Sequence, residues 1–172
     1  MNLFKFPTLT LCLACAFHAH AQQQLPYNQT FDDANAFEDF VVLDANGDNY
    51  TWKYDSFSAE ASCERDMYAD ADDWLFTPVF ALKAGTEYTI SFDGHTQYGG
   101  NDEVFDLLIG SEALPTAMTQ RILEGLSVNE TYPLSISNRP SLSGPTATIV
   151  SPSITGPRER LTAMPCSSTI SA

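Results

Sequence analysis

The sequence predicts an all-β protein built as a two-sheet antiparallel sandwich. Short segments rich in aromatic and β-branched residues recur along the chain, and turn-forming Asp, Asn and Gly residues separate them. No alternation of strands with long helical segments is visible, so a parallel α/β sheet is not expected. The 172 residues, of which 44% are hydrophobic and 12% aromatic, suffice for one domain with a buried core.

The first half of the chain supplies four of the expected strands. The first begins at Thr30 and the second spans residues 37–43. The third spans residues 49–54, where an alternating pattern centres on Trp52. Residues 74–80 form the next expected strand, in which Pro78 favours a sheet edge or a bulge because proline has no N–H to donate.

The second half contains the clearest strand pattern, over residues 87–93. Tyr88, Ile90 and Phe92 alternate with polar residues there, which gives one apolar face and one wet face. Residues 104–109 and 132–136 are also expected to be strands, whereas residues 116–125 fit either a short helix or a strand with a polar face.

The charge balance excludes some classes of partner. The chain carries 8 Lys and Arg against 22 Asp and Glu, a formal net charge of −14. A protein that follows a nucleic-acid backbone needs the opposite sign, so no nucleic-acid partner is expected. The acidity also disfavours anionic membrane surfaces, whereas it suits cation binding.

Residues 1–21 are predicted to be a signal peptide. Lys5 precedes an apolar run over residues 6–17, and Ala19-His20-Ala21 provides a small-x-small cleavage site before Gln22. The run is shorter than the roughly 20 residues of a membrane-spanning helix, so a secreted product without a transmembrane segment is expected. The domain itself is then expected over residues 22–138.

The composition changes near residue 139. Residues 22–138 contain 21 acidic residues, 4 basic residues and 17 aromatics, whereas 17 of the 34 residues at 139–172 are Ser, Thr or Pro and none is aromatic. One interpretation is a flexible Pro/Ser/Thr linker or stalk. The other is a frameshift, because reading the codons one nucleotide back permits strand-like sequences at 145–155 and 161–171. We therefore expect a sandwich that lacks its last strands and ends in an irregular tail.

Several motifs in order resemble those of the cleaved-adhesin or choice-of-anchor J family. These domains are jelly rolls of secreted Bacteroidetes surface proteins, similar in shape to gingipain adhesin modules and to MAM and concanavalin-like sandwiches. The resemblance covers about residues 25–137. The motifs are Leu25-Pro26-Tyr27, Phe31-Asp32, Asp44-Ala45-Asn46-Gly47-Asp48 followed by Trp52, Asp72-Asp73-Trp74-Leu75-Phe76-Thr77-Pro78, and residues 82–92.

The resemblance implies a function as well as a jelly-roll fold. It implies a non-catalytic adhesin or binding module at the cell surface that recognises carbohydrate or a host protein. Such modules are often stabilised by calcium and are often one part of a longer surface protein. Members of the family end in a strand with an Asp-Asp pair between apolar residues. Residues 139–172 contain no such strand, whereas the same codons read one nucleotide back supply one.

Asp44, Asn46 and Asp48 are predicted to bind calcium. Their side-chain oxygens alternate along a loop, as ligands of a hard cation do, and Asp32 could complete the site from elsewhere in the fold. The loop is not an EF-hand, because Gly47 stands one place too early and no closing Glu follows. Asx-turn chemistry between two strands explains the same residues without a metal.

A second acidic cluster precedes Trp74. Asp70, Asp72 and Asp73 are expected at the solvated rim of a loop, with a second cation site as the alternative.

Aromatic residues are the predicted ligand contacts. Trp52, Tyr54 and Tyr98 could stack on sugar rings, and Trp74 is a further candidate. Burial in the core is the alternative for both tryptophans.

No catalytic residue is predicted. His95, expected in a surface turn, has no matching Ser or Cys nucleophile in the sequence pattern, and no spacing selects a pair of catalytic carboxylates. Cys63 and Cys166 are the cysteines outside the signal segment, too few for a disulfide scaffold. The alternatives to a binding module are a concanavalin-like glycan hydrolase, a fragment of a protease-associated domain, and a truncated product without function.

Overall fold

The computed structural model describes residues 22–64, 71–83, 85–96 and 103–128, and the backbone of four further strands. These residues form short strands, one short α-helix and one 3₁₀ turn. The elements are β1 (Tyr27–Gln29), α1 (Ala34–Glu38), β2 (Val41–Asp44), β3 (Trp52–Asp55), β4 (Glu60–Cys63), β5 (Asp73–Phe76), β6 (Thr89–Thr96), β7 (Glu103–Gly110), the 3₁₀ turn (Pro115–Ala117), β8 (Met118–Val128), β9 (Leu134–Asn138), β10 (Ile149–Ile154), β11 (Leu161–Ala163) and β12 (Ser168–Ser171).

The strands form two open antiparallel sheets. The larger sheet has seven strands in the order β1-β12-β6-β11-β4-β3, with β9 also paired to β6. The smaller sheet has five strands in the order β2-β5-β10-β7-β8. A single parallel bridge between Gln23 and Phe80 lies outside these strands. The predicted all-β jelly-roll class is confirmed.

The main core lies between the two sheets, and a second apolar cluster lies outside the smaller one. Leu75 and Phe105 of the smaller sheet pack with Trp52 of the larger sheet. Phe76 and Leu108 belong to a separate cluster on the opposite face, because successive residues of a strand point to opposite sides of its sheet. The smaller sheet is therefore apolar on both faces.

The region predicted as a strand over residues 37–43 begins as a helix instead. Asp33 caps α1, since its Oδ1 accepts a hydrogen bond from the Ala36 N–H at 3.1 Å. Phe37 lies in this helix and packs its ring against Phe31. The aromatic residues suggested a strand, but the local cap starts a helical turn, and β2 begins only at Val41.

Residues 116–125, which fitted a helix or a strand, lie mostly in strand β8. This long strand pairs with β7 through several register shifts. Gly110 at the end of β7 lies so close to the 3₁₀ turn that an added Cβ would overlap the backbone carbonyl of Ala117. The turn and the end of β7 are thus packed backbone to backbone.

The expectation of missing last strands and an irregular tail is corrected. Residues 149–154, 161–163 and 168–171 are β10, β11 and β12, and β10 lies between β5 and β7 in the smaller sheet. Backbone N–H and C=O groups along strand edges need partners whatever the side chains are, which explains how this segment joins the sheets. The division at residue 139 and the reading-frame interpretation stay predictions.

The first 21 residues, with the expected signal peptide, lie outside the described residues. Among the residues that the structure describes, no helix is both long and apolar enough to cross a membrane.

Candidate functional site

The predicted cation loop is a chain of Asx turns. Asp44 accepts hydrogen bonds from the Gly47 N–H at 2.6 Å and from the Asn49 N–H at 2.9 Å. Asn46 Nδ2 donates to Asp48 Oδ2 at 3.1 Å. The three predicted ligands therefore share one loop, and their side chains form hydrogen bonds within it. This is the Asx-turn interpretation, which explains the loop without a metal.

Asp32 is not brought to this loop. It is exposed, and its Oδ2 accepts a hydrogen bond from Thr30 Oγ1 at 2.6 Å. In the described part of the chain, no three His, Cys, Asp or Glu side chains converge as ligands of one ion. The predicted four-residue metal site is thus not assembled as expected.

Asp73 is the unexpected member of the acidic cluster. It is completely buried, at 0% exposure, and neither carboxylate oxygen has a hydrogen-bond partner among the residues that the structure describes. It stands directly opposite Asp44 in the pairing of β2 with β5, although like charges opposite each other destabilise a sheet. The carboxylate faces the core side of its sheet, as Leu75 does.

The environment of Asp73 raises its pKa to about 6. Loss of solvation by burial is the largest cause, and the charges of Asp44, Asp48 and Asp72 add to it. The nearby Thr51 side chain lowers the pKa in part, although no hydrogen bond of normal geometry joins its hydroxyl to Asp73. A charged Asp73 is therefore costly to the fold unless a cation compensates it.

Sequence reasoning placed all three residues of this cluster at a solvated rim. Asp72 is exposed, as expected, and Asp70 lies outside the described residues. The signal that identifies Asp73 is alternation, because it stands two residues before the apolar Leu75 on the same strand.

Cys63 lies near this carboxylate. It is 2% exposed and packs in the core between the sheets. Burial raises the pKa of its thiol well above the usual range, and the charges of Asp73 and Glu103 raise it further. The thiol is thus inert rather than nucleophilic.

The aromatic residues are distributed differently from the prediction. Trp52 is 3% exposed and lies in the core, so the expected stacking of Trp52 on a ligand is not retained. Tyr54 is half-buried and packs against the same core cluster. Tyr98 lies outside the described residues.

Trp74, unlike Trp52, is partly exposed to solvent. It is half-buried on the outer face of the smaller sheet, where its ring stacks on that of Phe76 at 5.7 Å with an interplanar angle of 13°. Its Nε1 donates to Asp72 Oδ1 at 3.0 Å. These two contacts fix the orientation of the indole ring.

His95 is not in a turn. It lies in β6 at 8% exposure, and burial lowers its pKa, so it is neutral at pH 7. Its Nδ1 has no hydrogen-bond partner among the described residues. An orienting carboxylate of the kind found in a catalytic triad is therefore not bound to this nitrogen.

The fold is similar to those of adhesin domains and carbohydrate-binding modules. The K3 cleaved adhesin domain of Lys-gingipain from Porphyromonas gingivalis superposes with a TM-score of 0.64 at 15% identity, over 86% of this chain and 98% of that domain. The CBM22-1 xylan-binding domain of Xyn10C from Paenibacillus barcinonensis gives a TM-score of 0.56 at 8% identity, over 85% of this chain and 94% of that domain. A CBM4 structure gives a TM-score of 0.55 at 12% identity, over 82% of this chain and 97% of the other.

The likeness establishes the fold and confirms the resemblance to gingipain adhesin domains at that level. No protein-family model matches the chain, and no curated protein matches its sequence. The choice-of-anchor J name therefore gains no support.

Proposed function

We propose that this chain is a secreted or cell-surface, non-catalytic module that binds carbohydrate. The observation that carries the proposal is the half-buried Trp74 on an outer sheet face, whose ring is fixed by stacking on Phe76 and by its hydrogen bond to Asp72. A rigid aromatic face of this kind matches the apolar face of a pyranose ring, and a fixed ring loses little conformational entropy on binding. The fold shared with an adhesin domain and with modules named for carbohydrate binding adds support.

A panel of oligosaccharides tests this proposal. Purified residues 22–172 should bind at least one of xylan, β-glucan, chitin or mannan oligosaccharides in calorimetric titration, and the sugars should be recovered uncleaved. Absence of binding to every member would contradict the carbohydrate proposal. Release of shorter sugars would contradict the non-catalytic part and favour the hydrolase alternative.

The wider context of the module belongs to the same proposal. Residues 1–21 direct export, and the module works on its own or beside further domains of a longer surface protein. Fractionation of cells that express the whole chain should find the mature protein, beginning at Gln22, outside the cytoplasm. A host protein remains the alternative ligand, and a negative sugar panel would make it the next to test.

We also propose a structural calcium ion beside the 44–49 loop. The support is buried Asp73 opposite Asp44, since its two oxygens have no hydrogen-bond partner within the described part of the chain and a hard cation takes carboxylate oxygens as ligands. Asp44 and Asp73, which stand opposite each other, would each supply a carboxylate oxygen to the ion, with Asp73 in the place first predicted for Asp32. The ion would neutralise crowded carboxylates and so stabilise the folded state.

Thermal melting in chelator and in calcium tests this site. Calcium should raise the melting temperature of the wild-type protein, because a ligand that binds only the folded state stabilises it. The Asp73→Asn variant should be insensitive to calcium, whereas Asp39→Asn, at an exposed position, should respond like the wild type. Identical melting of the wild type in both solutions would exclude the ion.

A further inference from the structure

A row of residues crosses the outer face of the smaller sheet at the level of Trp74. Leu43 of β2 stands directly opposite Trp74 of β5. Trp74 and Asp106 of β7 both pair with residue 153 of β10, one from each side. Residues opposite each other in a sheet share a face, so Leu43, Trp74 and Asp106 lie in one line across the strands.

The far end of this row is polar. Arg121 of β8 contacts Asp106 Oδ2 at 3.2 Å and Glu124 Oε1 at 2.6 Å. The Gly125 N–H donates to Asp106 Oδ1 at 2.7 Å, which fixes the buried carboxylate. The Arg121 side chain remains 46% exposed and that of Glu124 75% exposed, so both are open to a ligand.

The neighbouring row is closed. Phe76 and Leu108 are 0% and 7% exposed, and Val79 and Ala113 pack against them. In the Trp74 row, Asp106 is likewise only 7% exposed. However, Leu43 and Trp74 at one end are half-buried and the Arg121 side chain at the other is 46% exposed, so this row is accessible at its two ends.

We propose that an extended, uncharged glycan binds across these strands, with one ring on Trp74 and a later ring against Arg121 and Glu124. This rests on the proposed carbohydrate function and adds the location, direction and charge class of the ligand. Strands lie about 4.8 Å apart, so Trp74 and Asp106 are about 10 Å apart across the sheet, more than one sugar ring can span.

The charges of the row determine the class of sugar. Two carboxylates surround the single Arg121, so the positive charge is already balanced and a uronic acid would meet net negative charge. Sugar hydroxyl groups both donate and accept hydrogen bonds, which suits a guanidinium beside an exposed carboxylate. Neutral oligosaccharides are therefore the expected ligands.

The chain offers a sharp test because it has two tryptophans. In the Trp52→Phe variant the emission comes from Trp74, and in the Trp74→Phe variant from buried Trp52. Titration with neutral hexasaccharides of xylose or glucose should shift the emission of the first variant and leave the second unchanged. A hexamer of galacturonate should give no shift in either.

Affinity measurements locate the second contact. Trp74→Ala and Arg121→Ala should each weaken binding at least tenfold by calorimetry, whereas Lys53→Ala, an exposed cation on the other sheet, should leave it unchanged. Arg121→Lys keeps the charge beside Asp106 but loses the planar group of donors, so it should also weaken binding while melting like the wild type.

The outcomes separate the two proposals. If the wild type binds a neutral glycan and neither Trp74→Ala nor Arg121→Ala changes the affinity, this location is wrong and the carbohydrate function stands. Preference for galacturonate would overturn the charge class alone. If the wild type binds no sugar, the proposed function fails, and this inference fails with it.

Discussion

Residues 22–128 and the strands at 149–171 join the same two sheets by different means. The first region packs large side chains into the core, such as Phe76, Phe80 and Phe105, each at most 1% exposed. The second region has no aromatic residue, and Pro152 stands in the middle of β10 opposite Leu107, where a central strand rarely has a proline. A place in a sheet can thus be filled by backbone pairing even where the side-chain pattern of a strand is absent.

Three buried polar residues of the first region stand opposite strands of the second. Ser62 and His95 both stand opposite Thr162 of β11, and Ser62 Oγ and His95 Nδ1 lack hydrogen-bond partners among the described side chains and backbone. Asp73 stands opposite Ile154 of β10. Buried polar groups are normally paired in native proteins, so the side chains of residues 139–172 bear directly on these positions, and their reading frame stays a prediction. Sequencing the DNA across codons 138–172 would establish the frame.

Removal of the second region should have the largest effect. Ending the chain at Asn138 removes β10, β11 and β12 and exposes edges of β4, β5, β6 and β7. We expect the cooperative urea transition, followed by tryptophan emission, to disappear. A chain that lacks Ala172 alone serves as the control. An unchanged midpoint in the Asn138 truncation would show that the second region contributes nothing to stability.

The packing of the first region should give the next largest effect. Phe105→Ala removes a ring that is 1% exposed, and a buried Phe-to-Ala change costs about 3–5 kcal/mol of unfolding free energy. Phe57→Ala, at a position that is 98% exposed, should change it by less than about 0.5 kcal/mol. Urea denaturation measures both variants, and equal losses would mean that this core does not carry the stability.

The backbone contact at the end of β7 should give a smaller loss. Gly110→Ala forces a methyl group against the Ala117 carbonyl, and overpacking of this kind typically costs about 1–3 kcal/mol. Gly94 also lies in a strand, but an added Cβ there meets no atom within 4 Å, so Gly94→Ala is the matched control. A Gly110→Ala variant as stable as the control would show that the 3₁₀ turn moves aside freely.

The smallest predicted effect depends on pH. Burial raises the pKa of Glu60, whose Oε1 accepts from Ser58 Oγ at 2.5 Å. The pKa of Glu60 in the folded protein lies above its unfolded value of about 4.3. The stability that the protonated form contributes is therefore fully present below a pH of about 4.3 and is lost as the pH rises through the folded pKa. Glu60→Gln should therefore melt higher than the wild type at pH 7 and similarly at pH 4. Glu38→Gln, at an exposed position, should show no such difference, and the same gain at both pH values would exclude titration as the cause.

The sequence predicted the elements that side-chain alternation defines and missed those that contacts elsewhere define. The patterns at 87–93 and 104–109 located β6 and β7 closely. Strand β4 (Glu60–Cys63) was missed, because its Glu60 and Ser62 look like surface residues but are buried.

The site was predicted less well than the fold. The 44–48 loop was found because Asx-turn residues are local in sequence. The burial of Asp73 opposite Asp44 depends on strand pairing, which no local pattern shows. That Trp52 is buried and Trp74 partly exposed likewise depends on which face of each strand meets the other sheet.

The buried thiol of Cys63 can report how often the two sheets separate. Alkylating reagents react with the thiolate, and both burial and the raised pKa of Cys63 keep that form away from solvent while the sheets are closed. In mature protein that carries Cys166→Ser, Cys63 is the single cysteine, so the rate of its modification reports how often the two sheets separate around it. Slow alkylation of this one thiol would thus show that the closed sandwich rarely opens.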